Sequence, residues 1–186
     1  DGAERPFTLD AHRQVQRKWQ RTVLRHISED ASPALEKYMR KKFDRWKIAV
    51  LPRRRVVRAI VALPCIARAV PPRAFAAVIR TIWNGWCTGR RFQSSSHKCM
   101  FGCRFGEDSI EHYGTCKEVW KFFGTNFPRE YAPPADDRLA AFLLVGTAAG
   151  QVETQRDKLK AYSLLVAATY FTHNTWRHNP DLVGEA

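Results

Sequence analysis

One stretch of this sequence decides the fold, and it reads KCMFGCRFGEDSIEHYGTCKEVWKFF from Lys98 to Phe123. It contains three cysteines and a histidine in the pattern Cys99-x3-Cys103-x8-His112-x3-Cys116. Thiolates and an imidazole are ligands that tetrahedral Zn²⁺ prefers, and these spacings are typical of structural zinc sites. The stretch therefore predicts one Zn²⁺ site whose four ligands all come from this chain.

The residues between the last two ligands fit the same interpretation. Asp108, with Glu111 three positions later, predicts a capping box at the start of a helix. That helix would place His112 and Cys116 at positions i and i+4 of one face. We therefore expect the metal to fasten this helix to the apolar core.

Two alternatives stay open at this site. The four side chains could be buried cysteines and a hydrogen-bonded core histidine without a metal, or His97 or Cys87 could replace one of the ligands. With four protein ligands a zinc ion has no position left for a reactive water, so we expect a structural role rather than Lewis-acid catalysis.

Outside this stretch, charge is the strongest signal. The chain of 186 residues has 31 Lys or Arg against 18 Asp or Glu, a net +13, and residues 1–91 hold 21 of these cations and 7 of the acids, a net +14. One basic run is usually a solvated helix face, but three successive runs without balancing acids favour contact with phosphates. The candidate nucleic-acid-binding residues are Arg13, Arg17, Lys18, Arg21, Arg25, Lys41, Lys42, Arg53, Arg54, Arg55, Arg58, Arg90 and Arg91.

Apolar periodicity predicts an all-α protein, an irregular helical domain with one structural zinc knuckle. Residues 1–80 are expected to form a basic helical region, 81–125 the zinc-knuckle region, and 126–186 a pair of helices packed on it. Individual helices are predicted after Asp10, after Ser32, over 73–86, over 137–149 and over 152–178. Pro64, Pro71 and Pro72 should divide the chain between the second and third of these into short pieces.

The apolar positions of these helices supply the expected core. They are Val15, Trp19, Val23, Leu24 and Ile27; Leu35, Met39, Phe43, Trp46 and Val50; Phe75, Val78, Ile79 and Ile82; Val119, Trp120 and Phe123; and Leu159, Tyr162, Val166, Tyr170 and His173.

Two blocks carry a family resemblance. The first is WNGWCTGRRFQ from Trp83 to Gln93, and the second is Cys99-x3-Cys103 followed by EDSIEHYGTC from Glu107 to Cys116. Together they resemble the zinc-binding region that follows the polymerase domain in reverse transcriptases of non-LTR retrotransposons. The resemblance covers about residues 80 to 125. It implies a Cys-Cys-His-Cys knuckle that helps to grip nucleic acid, carried here by the four ligands named above.

No catalytic constellation is found. A polymerase needs carboxylates for two metal ions, and no Tyr-x-Asp-Asp-like motif is present. Asp136 and Asp137 are better explained as caps of the helix that follows. Phosphate-binding loops and nucleophile elbows are also missing, and no stretch reaches the roughly 18 to 20 apolar residues of a membrane span. We therefore expect neither enzymatic activity nor a membrane or small-molecule partner.

These observations predict a non-catalytic, zinc-stabilised RNA-binding protein, a structural subunit of a large ribonucleoprotein such as a mitochondrial ribosome. Its partners would be RNA, in particular rRNA, and neighbouring proteins, with DNA an open possibility. The chain starts at Asp1 without an initiator Met, which either a removed targeting peptide or a cloned fragment could explain. The first explanation, together with the lack of catalytic residues, favours mitochondrial localisation, with the nucleus as the alternative. Trp83, Trp86 and Phe92 could stack on unpaired bases or seal the core.

Two other functions compete with this one. The chain could be the nucleic-acid-binding C-terminal part of a retrotransposon reverse transcriptase, or a protein-protein scaffold whose basic face meets an acidic partner. Steep, log-linear weakening of binding with salt would favour the nucleic-acid functions over the scaffold.

Overall fold

The fold is taken from a computed structural model of the chain. It describes residues 32–46, 53–93, 98–104, 106–145 and 152–179, together with Gln14, Lys18 and Thr22, whose backbone is helical. The described residues form eight α-helices and two short 3-10 helices, with one isolated β-bridge between Lys98 and Glu107. The predicted all-α class is confirmed.

The helices follow one another along the chain as α1 to α8. Their bounds are α1 Ser32–Arg45, α2 Arg53–Ala69, α3 Pro72–Ile82, α4 Gly89–Phe92, α5 Ile110–Tyr113, α6 Lys117–Asn126, α7 Arg138–Phe142 and α8 Val152–His178, with the 3-10 helices at Arg129–Tyr131 and Ala135–Asp137. In these described ranges no helix is both long enough and apolar enough to cross a bilayer.

Helix α1 confirms the helix predicted after Ser32. Met39, Phe43 and Trp46 are buried on one side of it, as their spacing of three and four residues requires. Leu35 and Val50, expected on the same stripe, lie outside the described side chains. The apolar residues of the helix predicted after Asp10 also lie outside the described residues; they are Val15, Trp19, Val23, Leu24 and Ile27.

Helix α2 corrects one prediction. Pro64 does not divide it, because the helix continues from Arg53 to Ala69 with this proline inside. A proline removes one backbone hydrogen bond and costs about 3 kcal/mol in a helix interior. Burial of Ile60, Leu63 and Ile66 on both sides of the proline offsets that cost. Pro71 and Pro72 do end the segment, since α3 begins at Pro72.

Helix α3 ends at Ile82, four residues before the predicted end at Trp86. Asn84 has a φ of 54°, and the N–H groups of Asn84 and Gly85 donate to the carbonyls of Thr81 and Arg80 at 2.9 and 2.6 Å. This is the Schellman termination of a helix, here with Asn in the left-handed position.

Helix α7 covers Arg138–Phe142 and is shorter than the predicted 137–149. Leu144 takes a φ of 62°, and Val145 N–H donates to Ala140 O at 2.8 Å, which ends the helix in the same way. Asp137 stands at the N-cap but makes no side-chain cap bond, so the capping role predicted for it is not seen. Residues 146–149 lie outside the described ranges.

Helix α8 is confirmed in its predicted bounds and forms the axis of the core. Leu159, Tyr162, Val166, Tyr170 and His173 are all buried. It packs against α2, α3, α6 and α7. The buried apolar residues form one cluster that runs through all three predicted regions, from Met39 to Tyr170.

Trp86 lies at the centre of this cluster and has no exposed surface. Its ring stacks on Tyr113 at a centroid distance of 5.7 Å and meets Phe142 and Tyr170 edge-on. Trp86 therefore joins the end of α3 to the knuckle, to α7 and to α8.

Candidate metal centre

The four predicted ligands converge on one point. The ligand atoms of Cys99, Cys103, His112 and Cys116 all lie within 4.8 Å of one another. Cys116 Sγ is 3.2 Å from Cys103 Sγ and 3.9 Å from Cys99 Sγ, both well beyond the roughly 2.05 Å of a disulfide. These four side chains could hold a metal ion.

The histidine of the cluster has one ring nitrogen that no described residue hydrogen-bonds. His112 Nε2 is buried and has no hydrogen-bond partner among the described residues. A buried polar nitrogen without a partner costs about 1 to 3 kcal/mol, and a metal ion is the partner that the three neighbouring thiols indicate.

A tight backbone loop positions the first two ligands. Cys99 N–H donates to Gly106 O at 2.7 Å, and Gly102, with a φ of 82°, turns the chain between the two cysteines. A Cβ on Gly106 would overlap the His112 ring and lie 2.9 Å from Cys99 Cβ. Glycine is therefore required at 106 for the loop and the imidazole to meet.

Backbone amides surround the sulfur atoms. Phe101 N–H donates to Cys99 Sγ at 3.4 Å. The backbone amides of Glu118 and Val119, in the first turn of α6, act to lower the pKa of Cys103 and of Cys116, respectively. Amides at a helix N-terminus stabilise negative charge, so this end of α6 favours thiolates.

Without a bound cation, the three thiols do not lose their protons over the same pH range. The hydrogen bond to Cys99, together with burial, raises the pKa of Cys116 to about 11, and burial raises the pKa of Cys103. The hydrogen bond from Cys116 lowers the pKa of Cys99. A bound divalent ion would supply the charge that lets all three exist as thiolates.

The helix predicted to carry both His112 and Cys116 is interrupted. Helix α5 ends at Tyr113, and Cys116 is the N-cap of α6, so the two ligands stand on different helices. The predicted cap is also wrong, because Ser109 Oγ accepts from His112 N–H at 3.1 Å.

Asp108 is instead a buried acceptor that joins the knuckle to its surroundings. Its Oδ1 accepts from Tyr113 Oη at 2.5 Å and lies 2.9 Å from His173 Nε2. Its Oδ2 accepts from Gly89 N–H at 2.5 Å and from Arg177 at 3.5 Å. Burial raises the pKa of this carboxyl, but the bonds from His173, Tyr113 and Gly89 outweigh it and lower the pKa overall.

Sequence reasoning did not find this network. Glu111, three positions later, made Asp108 look like a local cap, and its partner His173 is 65 positions away. The helical stripe placed His173 in the core correctly, and a buried histidine with no adjacent acid was the available signal for a distant carboxylate.

Three of the predicted nucleic-acid-binding arginines are engaged within the protein. Arg55 pairs with Asp137 at 3.6 Å, and Arg90 pairs with Glu111 at 3.3 Å and with Glu107 at 3.8 Å. Arg91 donates to the carbonyls of Asn84 and Trp86 at 2.9 and 3.3 Å. These guanidinium groups are bonded to side chains and carbonyls of the protein, so fewer of their N–H donors are free to bind phosphates.

Other predicted contacts face solvent. Lys18, Lys41 and Arg58 are exposed, and Lys42 is half-buried with its Nζ 5.4 Å from the centroid of the Tyr38 ring. The remaining predicted contacts are Arg13, Arg17, Arg21 and Arg25, which lie outside the described residues, and Arg53 and Arg54, of which only the backbone is described.

The three aromatic residues proposed for stacking differ from one another. Trp86 belongs to the core, and its Nε1–H donates to Thr81 Oγ1 at 2.9 Å. Trp83 is half-buried and stacks on Tyr38, whereas Phe92 is 56% exposed. Of the three, only Phe92 is an exposed side chain, and the Arg91 guanidinium lies over its ring, 5.7 Å from the centroid.

Of the two alternative ligands, Cys87 does not join the cluster, since it is a free, exposed thiol and is absent from the ligand group. His97 lies outside the described residues. Comparison of the chain with protein-family models, with curated proteins and with solved structures finds no match.

Proposed function

We propose that this chain is a non-catalytic, zinc-stabilised RNA-binding protein, a structural subunit of a large ribonucleoprotein such as the mitochondrial ribosome. The observation that carries the proposal is a pair of solvent-exposed lysines on one helix. Arg90 and Arg91 of the knuckle region are bound to protein groups, whereas Lys37 and Lys41 of α1 face solvent.

Zinc is the ion that suits the cluster. In a tetrahedral site with Zn–S bonds of about 2.3 Å, neighbouring sulfur atoms lie about 3.8 Å apart. The Cys99–Cys116 distance of 3.9 Å agrees with this value, and the Cys103–Cys116 distance of 3.2 Å is shorter, so Cys103 would move outward on binding the ion. Three thiolates and an imidazole are soft ligands that select zinc over magnesium or calcium. The closed site leaves no coordination position for water or substrate, which supports a structural role.

The proposed RNA-binding face is the outer side of α1. Lys37 and Lys41 are exposed one helical turn apart. Arg40, beside them, pairs with Glu36 at 3.7 Å, and its side chain is 47% exposed. Lys18 is exposed on the preceding segment. Such amines bind the sugar-phosphate backbone without reading bases, so binding should be general and strongly dependent on salt.

A matched pair of variants tests the location of this face. Lys37→Glu/Lys41→Glu and Lys117→Glu/Lys121→Glu change net charge equally, and both pairs are exposed lysines one turn apart, on α1 and α6. With a 20-nucleotide single-stranded RNA, the α1 pair should weaken binding and lower the slope of log K against log salt by about 1.4, or 0.7 per phosphate contact.

The α6 pair should leave the affinity much closer to that of the unmodified protein. A slope near zero in the unmodified protein would contradict RNA binding and favour the scaffold function. Equal losses in both pairs would contradict the assignment of the face to α1.

A second candidate function is the nucleic-acid-binding C-terminal part of a retrotransposon reverse transcriptase. One observation favours it: the two blocks that carry the resemblance pack as one unit, through Gly89 N–H on Asp108 and through the Trp86–Tyr113 stack. This function predicts that the α6 pair, next to the knuckle, weakens binding more than the α1 pair does. It also predicts a polymerase domain upstream in the same reading frame.

A further inference from the structure

Helix α2 is apolar on two of its sides. Val56, Ile60, Leu63 and Ile66 are buried in the core. On the other side, Val61 is 71% exposed and Val57 37% exposed. A helix that is apolar on both sides is normally covered on both, so the outer side of α2 is a candidate for contact with another molecule.

This side forms one wall of a groove. The groove has a volume of 690 Å³ and lies between α2 and the first turns of α8. Its apolar lining residues include Val57, Val61, Ala62, Cys65, Ala69 and Leu159. From Val57 to Ala69 the wall is about 18 Å long, at 1.5 Å per residue, which is the length of about three helical turns.

The spacing of the wall residues favours a helix as the occupant. Val57, Val61, Cys65 and Ala69 follow one another at intervals of four, which is the ridge that packs into the groove of a neighbouring helix. Small side chains at 62, 65 and 69 allow another backbone to come close. The apolar wall itself offers a phosphate backbone no hydrogen-bond donor.

The charges at the rim set the chemistry of the occupant. Arg58 lines the groove from α2, and Arg156 and Lys160 line it from α8. Among the described residues, no acidic side chain lines it. We infer that the α2–α8 groove binds an amphipathic helix of a partner protein, with apolar residues on the inserted side and acidic residues beside them.

A designed peptide tests the inference directly. The probe is a fluorescein-labelled 15-residue helix with Leu at positions 2, 6, 9 and 13 and Glu at the flanking positions, compared with a scrambled peptide and a peptide with Lys in place of Glu. The Glu peptide should bind the full zinc-loaded chain saturably, and the other two at least about tenfold more weakly, a difference of about 1.4 kcal/mol.

Two variants and one control locate the binding. Val61→Glu and Arg156→Glu should each weaken peptide binding about tenfold or more, because one puts a charge on the apolar wall and the other reverses a rim charge. Arg129→Glu, an exposed arginine outside the groove, should have no such effect. Thermal melting checks that each variant is folded.

Two exposed thiols provide a footprint. Cys65 lines the groove and Cys87 does not, and both are free and exposed. Bound peptide should slow alkylation of Cys65 by N-ethylmaleimide and leave that of Cys87 unchanged, as read by mass spectrometry of the digested protein.

Several results would overturn the inference. They are equal binding of the three peptides, no protection of Cys65, a dimer in sedimentation that Val61→Glu dissociates, or binding to phosphatidylserine vesicles without binding to the peptide. The outcome is separate from that of the RNA proposal, since Val61→Glu should leave RNA affinity unchanged and Lys37→Glu/Lys41→Glu should leave peptide affinity unchanged.

Discussion

The two ends of α8 meet the rest of the protein in different ways. Near its C-terminus, His173 is fully buried and lies 2.9 Å from Asp108 of the knuckle. Near its N-terminus, Arg156 and Lys160 stand at the rim of an open groove whose other wall is α2. One helix thus has a buried, polar end that is bonded to the knuckle through His173 Nε2, and an open, apolar end with charges at its edge.

Charged and polar residues therefore have different roles at the two ends of α8. Where Asp108 fastens the knuckle to α8, Tyr113, Gly89 and His173 share one buried acceptor, and its removal would leave them unsatisfied in the core. Where α8 faces α2, the cations face solvent or a partner, and the fold does not depend on them. We therefore expect substitutions near the C-terminus of α8 to change stability, and substitutions near its N-terminus to change binding.

The largest effect is expected from loss of the metal. Cys116→Ser removes a ligand that stands within 4.8 Å of the other three, so the chain should lose its zinc and residues 98–123 should unfold. Zinc contributes on the order of 10 kcal/mol to the folding of small metal-held units. Zinc content and hydrogen exchange of this segment measure the change, with Cys87→Ser as the control. Melting at the unmodified temperature would count against a structural metal.

The next effect concerns the buried carboxylate that fastens α8. Asp108→Ala leaves Tyr113 Oη, Gly89 N–H and His173 without their acceptor, and a loss of about 3 to 5 kcal/mol is expected, as for a broken buried pair. Urea denaturation measures it. Asp136→Ala, at an exposed position, should change stability by less than about 0.5 kcal/mol. Similar results for the two variants would remove the distinction between the ends of α8.

A smaller effect is expected at alkaline pH in the middle of α8. Tyr162 Oη donates to Tyr131 O at 2.6 Å, and burial, with a further contribution from Asp137, raises the pKa of Tyr162 to about 12. The folded state favours the neutral phenol, so this stabilisation is complete below the unfolded pKa of about 10 and is lost as the pH rises toward 12.

Tyr162→Phe removes this titration. Between pH 10 and 12 its free energy of unfolding should fall less steeply than that of the unmodified protein, by about 1.4 kcal/mol per pH unit. Urea denaturation at several pH values gives both slopes. Identical slopes would mean that Tyr162 ionises freely in the folded protein.

The smallest effect is expected at the open end. Val61→Glu places a carboxylate at a position that is 71% exposed, and the melting temperature should hardly change, with less than about 0.5 kcal/mol lost. A large loss of stability would show that the outer side of α2 is covered in the folded chain itself.

The sequence was sufficient for features that local periodicity and ligand chemistry determine. The helices that begin at Ser32 and Val152 follow from apolar spacing, and the convergence of Cys99, Cys103, His112 and Cys116 follows from ligand types at short intervals. The ends of helices were harder to predict from the sequence. The end of α7 depends on Leu144 in a left-handed conformation, which sequence rules assign to Gly or Asn.

Long-range polar contacts could not be predicted from the sequence at all. Asp108 and His173 are 65 positions apart, and no local motif indicates that they interact. The same holds for Arg55 and Asp137, and for Arg90 with its two glutamates, which the sequence presented as free basic charge. Their pairing depends on how the helices pack, and this packing cannot be predicted from the net charge of a segment.

X-ray absorption at the zinc edge of the purified full chain, with the metal content measured in parallel, tests the central claim most directly. The proposed site predicts one zinc per chain with three sulfur ligands at about 2.3 Å and one nitrogen at about 2.0 to 2.1 Å. A protein without zinc, or a zinc shell that contains oxygen or fewer sulfur atoms, would contradict a closed Cys3His centre and the structural role derived from it.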